Sequence, residues 1–152
     1  MLVAYPALFY YDPEEASANP YFVTFPDLKN SATQGESPAQ ALLMASDYLG
    51  MALAAQVEQG ESLPQPSAIN DLSLEANNPF KEDEDMTLNY DPDKSFISLV
   101  SVDLANYLGS QEPIKKTLTI PRWADRLGRE LGLNFSQTLT DAIAHKRLGS
   151  NS

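Results

Sequence analysis

Lys115-Lys116-Thr117-Leu118-Thr119-Ile120-Pro121 alternates polar and apolar side chains, and two short helical patterns follow it. The alternation predicts a strand with Leu118 and Ile120 on one side and Lys115, Thr117 and Thr119 on the other. Pro121 ends that strand and can open a helix in which Trp123, Leu127 and Leu131 share a face, closed by Gly132. Asn134-Phe135-Ser136-Gln137 then starts a second helix, with Asn134 as its cap and Phe135, Leu139, Ala142 and Ile143 as its apolar stripe. A segment this short cannot enclose a core by itself, and a lone strand leaves an open edge. Both needs are met if two chains pair their strands antiparallel and interlock their helices. A homodimer is therefore expected. The two-stranded ribbon so formed fits the major groove of double-stranded DNA and displays Lys115, Thr117 and Thr119 outward. Lys116 has the inner parity and is expected to reach back to phosphate. The first N–H groups of the second helix, at Asn134, Phe135 and Ser136, would receive another phosphate. The plain alternative for the outward row is an exposed strand face, and the spacing of Trp123 makes it a core residue rather than a reader of bases.

Working back along the chain, the charge changes sign. The net charge is −11, which taken whole argues against a polyanionic partner. Residues 1–110 carry seventeen acidic side chains against Lys29, Lys81 and Lys94, a balance of −14, whereas residues 111–152 balance at +3. The break falls at Gly109–Pro113, which reads as a linker between a domain at 1–110 and a second at 111–152.

In the first domain, Leu2–Tyr11 and Tyr21–Phe25 read as strands, with Pro6 suggesting an edge or a bulge. Ser31–Gln34 is a third short strand ending at Gly35. Ser37-Pro38-Ala39-Gln40 is a helix start, and Leu42, Ala45, Leu49, Ala52, Leu53 and Val57 line one face before Gly60. Leu43, Met44, Tyr48 and Met51 widen the apolar surface beyond that stripe, which suggests burial on a second side. Leu63–Ser67 breaks the pattern. Asp71–Asp93 is polar and acidic and reads as an irregular or mobile insertion. Ser95–Val102 is a further strand, and Asp103–Leu108 a short helical turn. The fold class is α+β: β-β-β-α-β, then β-α-α.

Lys115–Leu148 resembles the ribbon-helix-helix family of DNA-binding proteins. Phe25-Pro26-Asp27-Leu28, then Ala32-Thr33-Gln34-Gly35-Glu36-Ser37, together with Leu63–Ser67 and Val100–Asp103, resembles the HicB-type antitoxins of toxin–antitoxin pairs. The resemblance covers most of the chain apart from the acidic insertion. It implies a partial RNase H-like N-terminal domain that holds a small basic mRNA-cleaving toxin of the HicA type. It also implies a C-terminal ribbon that represses the operon encoding both. An acidic domain suits a basic partner, and the candidate toxin contacts are Asp12, Asp27, Glu82, Asp83, Glu84 and Asp85.

Several other functions are disfavoured. No cysteine is present, so thiol chemistry and Cys-based zinc sites are excluded. His145 is the only histidine, and its place near a helix C-terminus suits a dipole contact. Metal-dependent nuclease chemistry needs converging carboxylates, and the strands Leu2–Tyr11, Tyr21–Phe25 and Ser95–Val102 have none inside them. The run Glu82–Asp85 lacks the pattern of a dedicated cation loop. No catalytic residue, metal or cofactor is expected. The N-terminus lacks the features of a secretory signal, and no apolar run is long enough to span a membrane, so a cytoplasmic protein is expected. The alternative reading is a stand-alone transcription regulator whose N-terminal domain binds a ligand or mediates assembly.

Overall fold

The computed structural model describes residues 1–14, 18–109 and 113–148. Two compact units emerge, one spanning Leu2–Leu108 and the other beginning at Gly109. Part of the expected linker, 110–112, lies outside the described residues.

The first unit is a four-stranded antiparallel sheet of order β3-β2-β1-β4, with β1 at Leu2–Tyr11, β2 at Tyr21–Thr24, β3 at Thr33–Gly35 and β4 at Phe96–Asp103. Helix α1, Pro38–Glu58, follows β3. Strand β1 is an inner strand, not the edge that Pro6 suggested. Its ladder with β2 covers only Leu8–Tyr11, so Pro6 has one strand neighbour, β4, opposite Leu99. A missing donor is tolerated where one side carries no ladder.

Alternation along β1 sends Tyr5, Ala7 and Phe9 to one face and Pro6, Leu8 and Tyr10 to the other, and all six are buried. The first face receives α1. Phe25, just past β2, stacks on Tyr48 of the helix at 6.1 Å, and Phe9 stacks on Phe96 at 4.6 Å. The helix starts where expected: Ser37 Oγ accepts from Gln40 N–H at 3.2 Å, and Gln40 Oε1 accepts from Glu36 N–H. It stops at Gly60, whose φ of +78° allows the Glu61 N–H to reach back to the Gln56 carbonyl. The buried row is Ala41, Ala45, Leu49 and Leu53, with Gly50 and Ala54 beside it. Leu42, expected inside, is exposed, and Val57 is half-buried. Close approach explains the exchange. A Cβ on Gly35 would lie 2.5 Å from the Ala41 backbone, so the helix meets β3 through its smallest side chains.

The acidic stretch differs most from expectation. It is irregular, with one 3-10 turn at Ile69–Asp71, but it is no loose insertion. It lies on the sheet face opposite α1. Tyr90 packs edge-on to Tyr10 at 5.0 Å, Phe80 packs on Phe22 at 5.9 Å, and the Tyr10 hydroxyl donates to the Leu74 carbonyl at 2.6 Å. The Asp91 N–H donates to the Tyr11 carbonyl at 2.8 Å, returning the chain to the sheet before β4. Burial pushes the phenol pKa of Tyr10 above its ordinary range.

The third strand also begins later than Ser31. Asn30 takes a left-handed conformation, φ 55°, and turns Ser31 inward. There the Ser31 hydroxyl accepts from the Phe25 N–H at 2.8 Å, and its carbonyl accepts from Thr24 Oγ1 at 3.0 Å. After β4, Asp103 caps a 3-10 turn at Leu104–Asn106, and Tyr107 folds against α1.

The second unit contains helices α2, Arg122–Glu130, and α3, Phe135–Leu148. Gly132, at φ +65°, ends α2, and Asn134 Oδ1 caps α3 by accepting from the Gln137 N–H at 3.0 Å. The helices touch where the Phe135 ring lies over Gly128. The expected strand at Lys115–Ile120 is not formed in the single chain. Among the described residues no strand pairs with it, and a strand without a neighbour has no ladder.

Gly50 leaves α1 close against the chain after β4: a Cβ there would lie 2.6 Å from the Tyr107 ring. Gly50→Ala is expected to destabilise the first unit by about 1–3 kcal/mol despite alanine's better helix propensity, because the ring must move. Urea denaturation followed by circular dichroism measures it, and an unchanged midpoint would mean the ring has room to yield.

Candidate interaction surfaces

The second unit shows the larger imbalance. Leu118, Ile120, Trp123, Leu127, Leu131, Leu133, Phe135, Leu139 and Ile143 are all at least a third exposed, and Trp123 reaches 63%. Gly128 is the one position in α2 that is buried. The apolar sides of two helices, and Leu118 and Ile120 in the segment before them, thus lie in solvent. Each large apolar side chain left out of a core forgoes roughly 1.5–3 kcal/mol, so this surface calls for a partner with matching faces. Lys115, Lys116, Thr117 and Thr119 lie in the exposed segment before α2, and Asn134, Phe135 and Ser136 at the exposed start of α3. The carboxamide of Asn134 is occupied by its cap, while the hydroxyls of Thr138 and Thr140 are turned onto their own helix. On α2, Arg129 pairs with Asp125 at 3.2 Å and Arg126 faces Glu130 at 3.9 Å, both on the surface. Such pairs contribute little and are easily exchanged for another anion.

The acidic candidates of the first unit separate into two kinds. Asp27 is committed to structure: its Oδ2 accepts from the Ser67 N–H at 2.9 Å and its Oδ1 from the Ser67 hydroxyl at 2.5 Å. The pair ties the turn after β2 to the Leu63–Ser67 segment. Asp12 closes the turn after β1 by accepting from the Glu14 N–H at 2.9 Å. Glu82, Asp83, Glu84 and Asp85 stand exposed on the irregular layer, with Asp83 Oδ1 accepting from the Asp85 N–H at 2.9 Å. No group of three or more potential metal ligands occurs among the described residues. A half-open cavity of about 600 Å³ lies between β2, the Leu28–Ala32 turn and Ala76–Phe80. Phe22, Phe80 and Pro79 line it together with Thr24, Lys29, Asn30, Asn77 and other polar residues, and it holds neither an acid nor a histidine. None of the described helices is long and apolar enough to cross a membrane.

One further surface lies outside the expected site residues. Leu43, Met44 and Met51 project from α1 on the side away from the sheet, with Asp47 among them. The Tyr107 hydroxyl donates to Asp47 Oδ1 at 2.9 Å, which raises the phenol pKa of Tyr107.

Comparison with known proteins agrees with this architecture. Residues 4–75 match the family model described as HicB-like antitoxin of bacterial toxin–antitoxin system. A chain of the toxin–antitoxin complex from Streptococcus pneumoniae is 66% identical, with 96% of this chain and 99% of that one covered at a TM-score of 0.71. The Burkholderia pseudomallei antitoxin HicB shares the fold at 20% identity and a TM-score of 0.51, with 93% of this chain and 96% of that one covered. No curated protein sequence matches the chain.

The two kinds of acid should respond differently to neutralisation. Asp27→Ala is expected to cost about 1–3 kcal/mol by leaving Ser67 unpaired, whereas Glu82→Gln with Glu84→Gln changes stability by about 0.5 kcal/mol or less. Thermal melts of the variants side by side decide it; equal losses would mean Asp27 is no structural pin.

Proposed function

The chain belongs to the HicB-like antitoxin family of bacterial toxin–antitoxin systems, and from that premise we propose a division of labour between its two units. The N-terminal domain, 1–110, binds and neutralises a small basic mRNA-cleaving toxin of the HicA type. The C-terminal domain, 111–152, pairs with a second copy as a ribbon-helix-helix and represses the operon by binding operator DNA. Members of this family are regulatory proteins, and the chain is not an enzyme. Action in the cytoplasm follows from that role.

The observation that carries the proposal is the exposed apolar side of the second unit. Pairing Lys115–Ile120 with the same segment of a second copy supplies the missing ladder and covers Leu118 and Ile120. The row of Trp123, Leu127 and Leu131 then has Phe135, Leu139 and Ile143 of the other copy to pack on. A two-fold axis makes this contact self-complementary. The ribbon then presents Lys115, Thr117 and Thr119 to base edges, with Lys116 on phosphate, and the start of α3 at Asn134, Phe135 and Ser136 meets the backbone of the DNA. The partial RNase H-like assignment of the first unit is supported by its strand order and by a helix packed on one sheet face. A relative at 66% identity that occurs in a toxin–antitoxin complex supports the toxin partner, as does the balance of −14 over residues 1–110.

Operator binding is tested by mobility shift on the DNA upstream of the gene. Thr117→Ala with Thr119→Ala is expected to weaken specific binding at least about tenfold, with toxin binding unchanged; retention of the shift would sink the ribbon. Lys115→Ala should weaken binding on all sequences and lower the slope of log affinity against log salt by about one. Leu127→Glu is expected to yield a monomer in sedimentation, since a charge would have to be buried at the two-fold contact. A dimer that survives it would place the contact elsewhere.

A further inference from the structure

Helix α1 is apolar on both sides. Its inner row is spent on the sheet, yet its outer row carries Leu43, Met44 and Met51, exposed 68%, 38% and 57%. A surface helix ordinarily gives that side to charged residues. Over Pro38–Glu58 there is no Lys, Arg or His, and the only carboxylates are Asp47 and Glu58. Asp47 lies one turn from both Leu43 and Met51, so a single carboxylate stands in the middle of the apolar row. It is also held in place. The Tyr107 hydroxyl fixes Oδ1 at 2.9 Å, and the Tyr107 ring is seated in the notch left by Gly50. Among the described residues, Oδ2 has no hydrogen-bond partner.

We propose that this outer face, with Leu43, Met44 and Met51 around Asp47, is where the basic toxin docks, a Lys or Arg of the toxin pairing with Asp47. The assignment rests on the antitoxin reading above. Charge selects the occupant. A second copy seated two-fold on the middle of this row would oppose two Asp47 carboxylates, and it would join two domains that each balance at −14. A basic partner meets neither penalty. Apolar side chains that exclude water around one charged group are the makings of an interface hot spot. Methionine adapts its shape to what it meets. A carboxylate already fixed by Tyr107 loses little further freedom on binding.

The test is titration of the full-length protein with the toxin of the pneumococcal complex, followed by calorimetry. Leu43→Glu and Met51→Glu are each expected to raise Kd at least about tenfold. Asp47→Asn should do the same and flatten the salt dependence, and Tyr107→Phe, which keeps the ring in the Gly50 notch, should raise Kd about threefold. Leu99→Glu, on β4 outside the row, should leave binding unchanged. All five positions are at least partly exposed, so melting temperatures close to the parent's confirm that the variants fold. If the parent binds and the α1 variants bind equally well, this surface is wrong and the antitoxin reading stands. If the parent does not bind, the antitoxin reading fails for this toxin and the docking surface with it. A Leu43→Glu protein whose mass without toxin falls by half would mark a contact between copies and overturn the proposal.

Discussion

Strand β1 buries six side chains in succession, Tyr5 to Tyr10, and this requires both faces of the sheet to be covered. A strand with one wet face would alternate between apolar and polar residues; this one does not. The first face is met by α1 through Ala41, Ala45, Leu49 and Leu53. Among the described residues no second helix covers the other face, and the irregular chain between Leu72 and Tyr90 is laid across it. Phe22, Leu8 and Tyr10 provide the apolar floor, while Phe80 and Tyr90 are the anchors. Backbone laid over a sheet without regular structure must find partners for its polar groups. Tyr10 helps to provide them by donating to the Leu74 carbonyl, and on the helix side Tyr5 does the same for the Pro64 carbonyl at 2.7 Å. Each phenol is thus apolar in its ring and a donor at its tip, which suits a layer with no ladder of its own.

The acidity of that layer follows from the same constraint. A segment that needs only two aromatic anchors and a few hydrogen bonds leaves most of its residues in water, where Glu82, Asp83, Glu84 and Asp85 cost nothing to solvate. The two exposed surfaces of the first unit then differ in kind. The irregular layer is charged with little apolar area, whereas the outer side of α1 is apolar with one fixed charge. In the proposed docking, long-range attraction of a basic toxin would draw on the former, and tight contact on the latter.

Much of this architecture is legible in the sequence because its signals are local. Ser37 and Asn134 as caps, Gly60 and Gly132 as stops, and the alternation of β4 each act within a few residues. What could not be read depends on contacts between distant segments. Phe80 and Tyr90 are isolated aromatics in an acidic run, with no period to betray that they lie on a sheet. The buried row of α1 was displaced because a helix that is apolar on every side fits several stripes equally well. The choice was made by the approach of Gly35 to Ala41, a contact of small residues that a preference for burying large ones points away from. Asp27 reads in the sequence as one of the candidate toxin contacts, yet it serves as the clasp for Ser67, forty residues away. Conversely, the alternation at Lys115–Ile120 has no ladder within the single chain, and the proposed pairing with a second copy is what would supply one.

The two units carry opposite charge balances, and distance explains how the proposed DNA-binding unit could work within an acidic chain. At physiological ionic strength an exposed charge is felt over about 8 Å. A phosphate in the groove of DNA therefore responds to the side chains that touch it rather than to the net −11 of the chain. Lys115, Lys116, Arg122 and the arginines of α2 are what such a phosphate would meet, while the surplus of acid belongs to the domain built on β1. Within α2, Asp125 and Glu130 occupy Arg129 and Arg126 only through exposed contacts, which a phosphate can displace at little cost. An acidic protein can bind DNA when its basic residues are concentrated in the segment that enters the groove, and in the proposed ribbon Lys115 and Lys116 would stand together at the start of that segment.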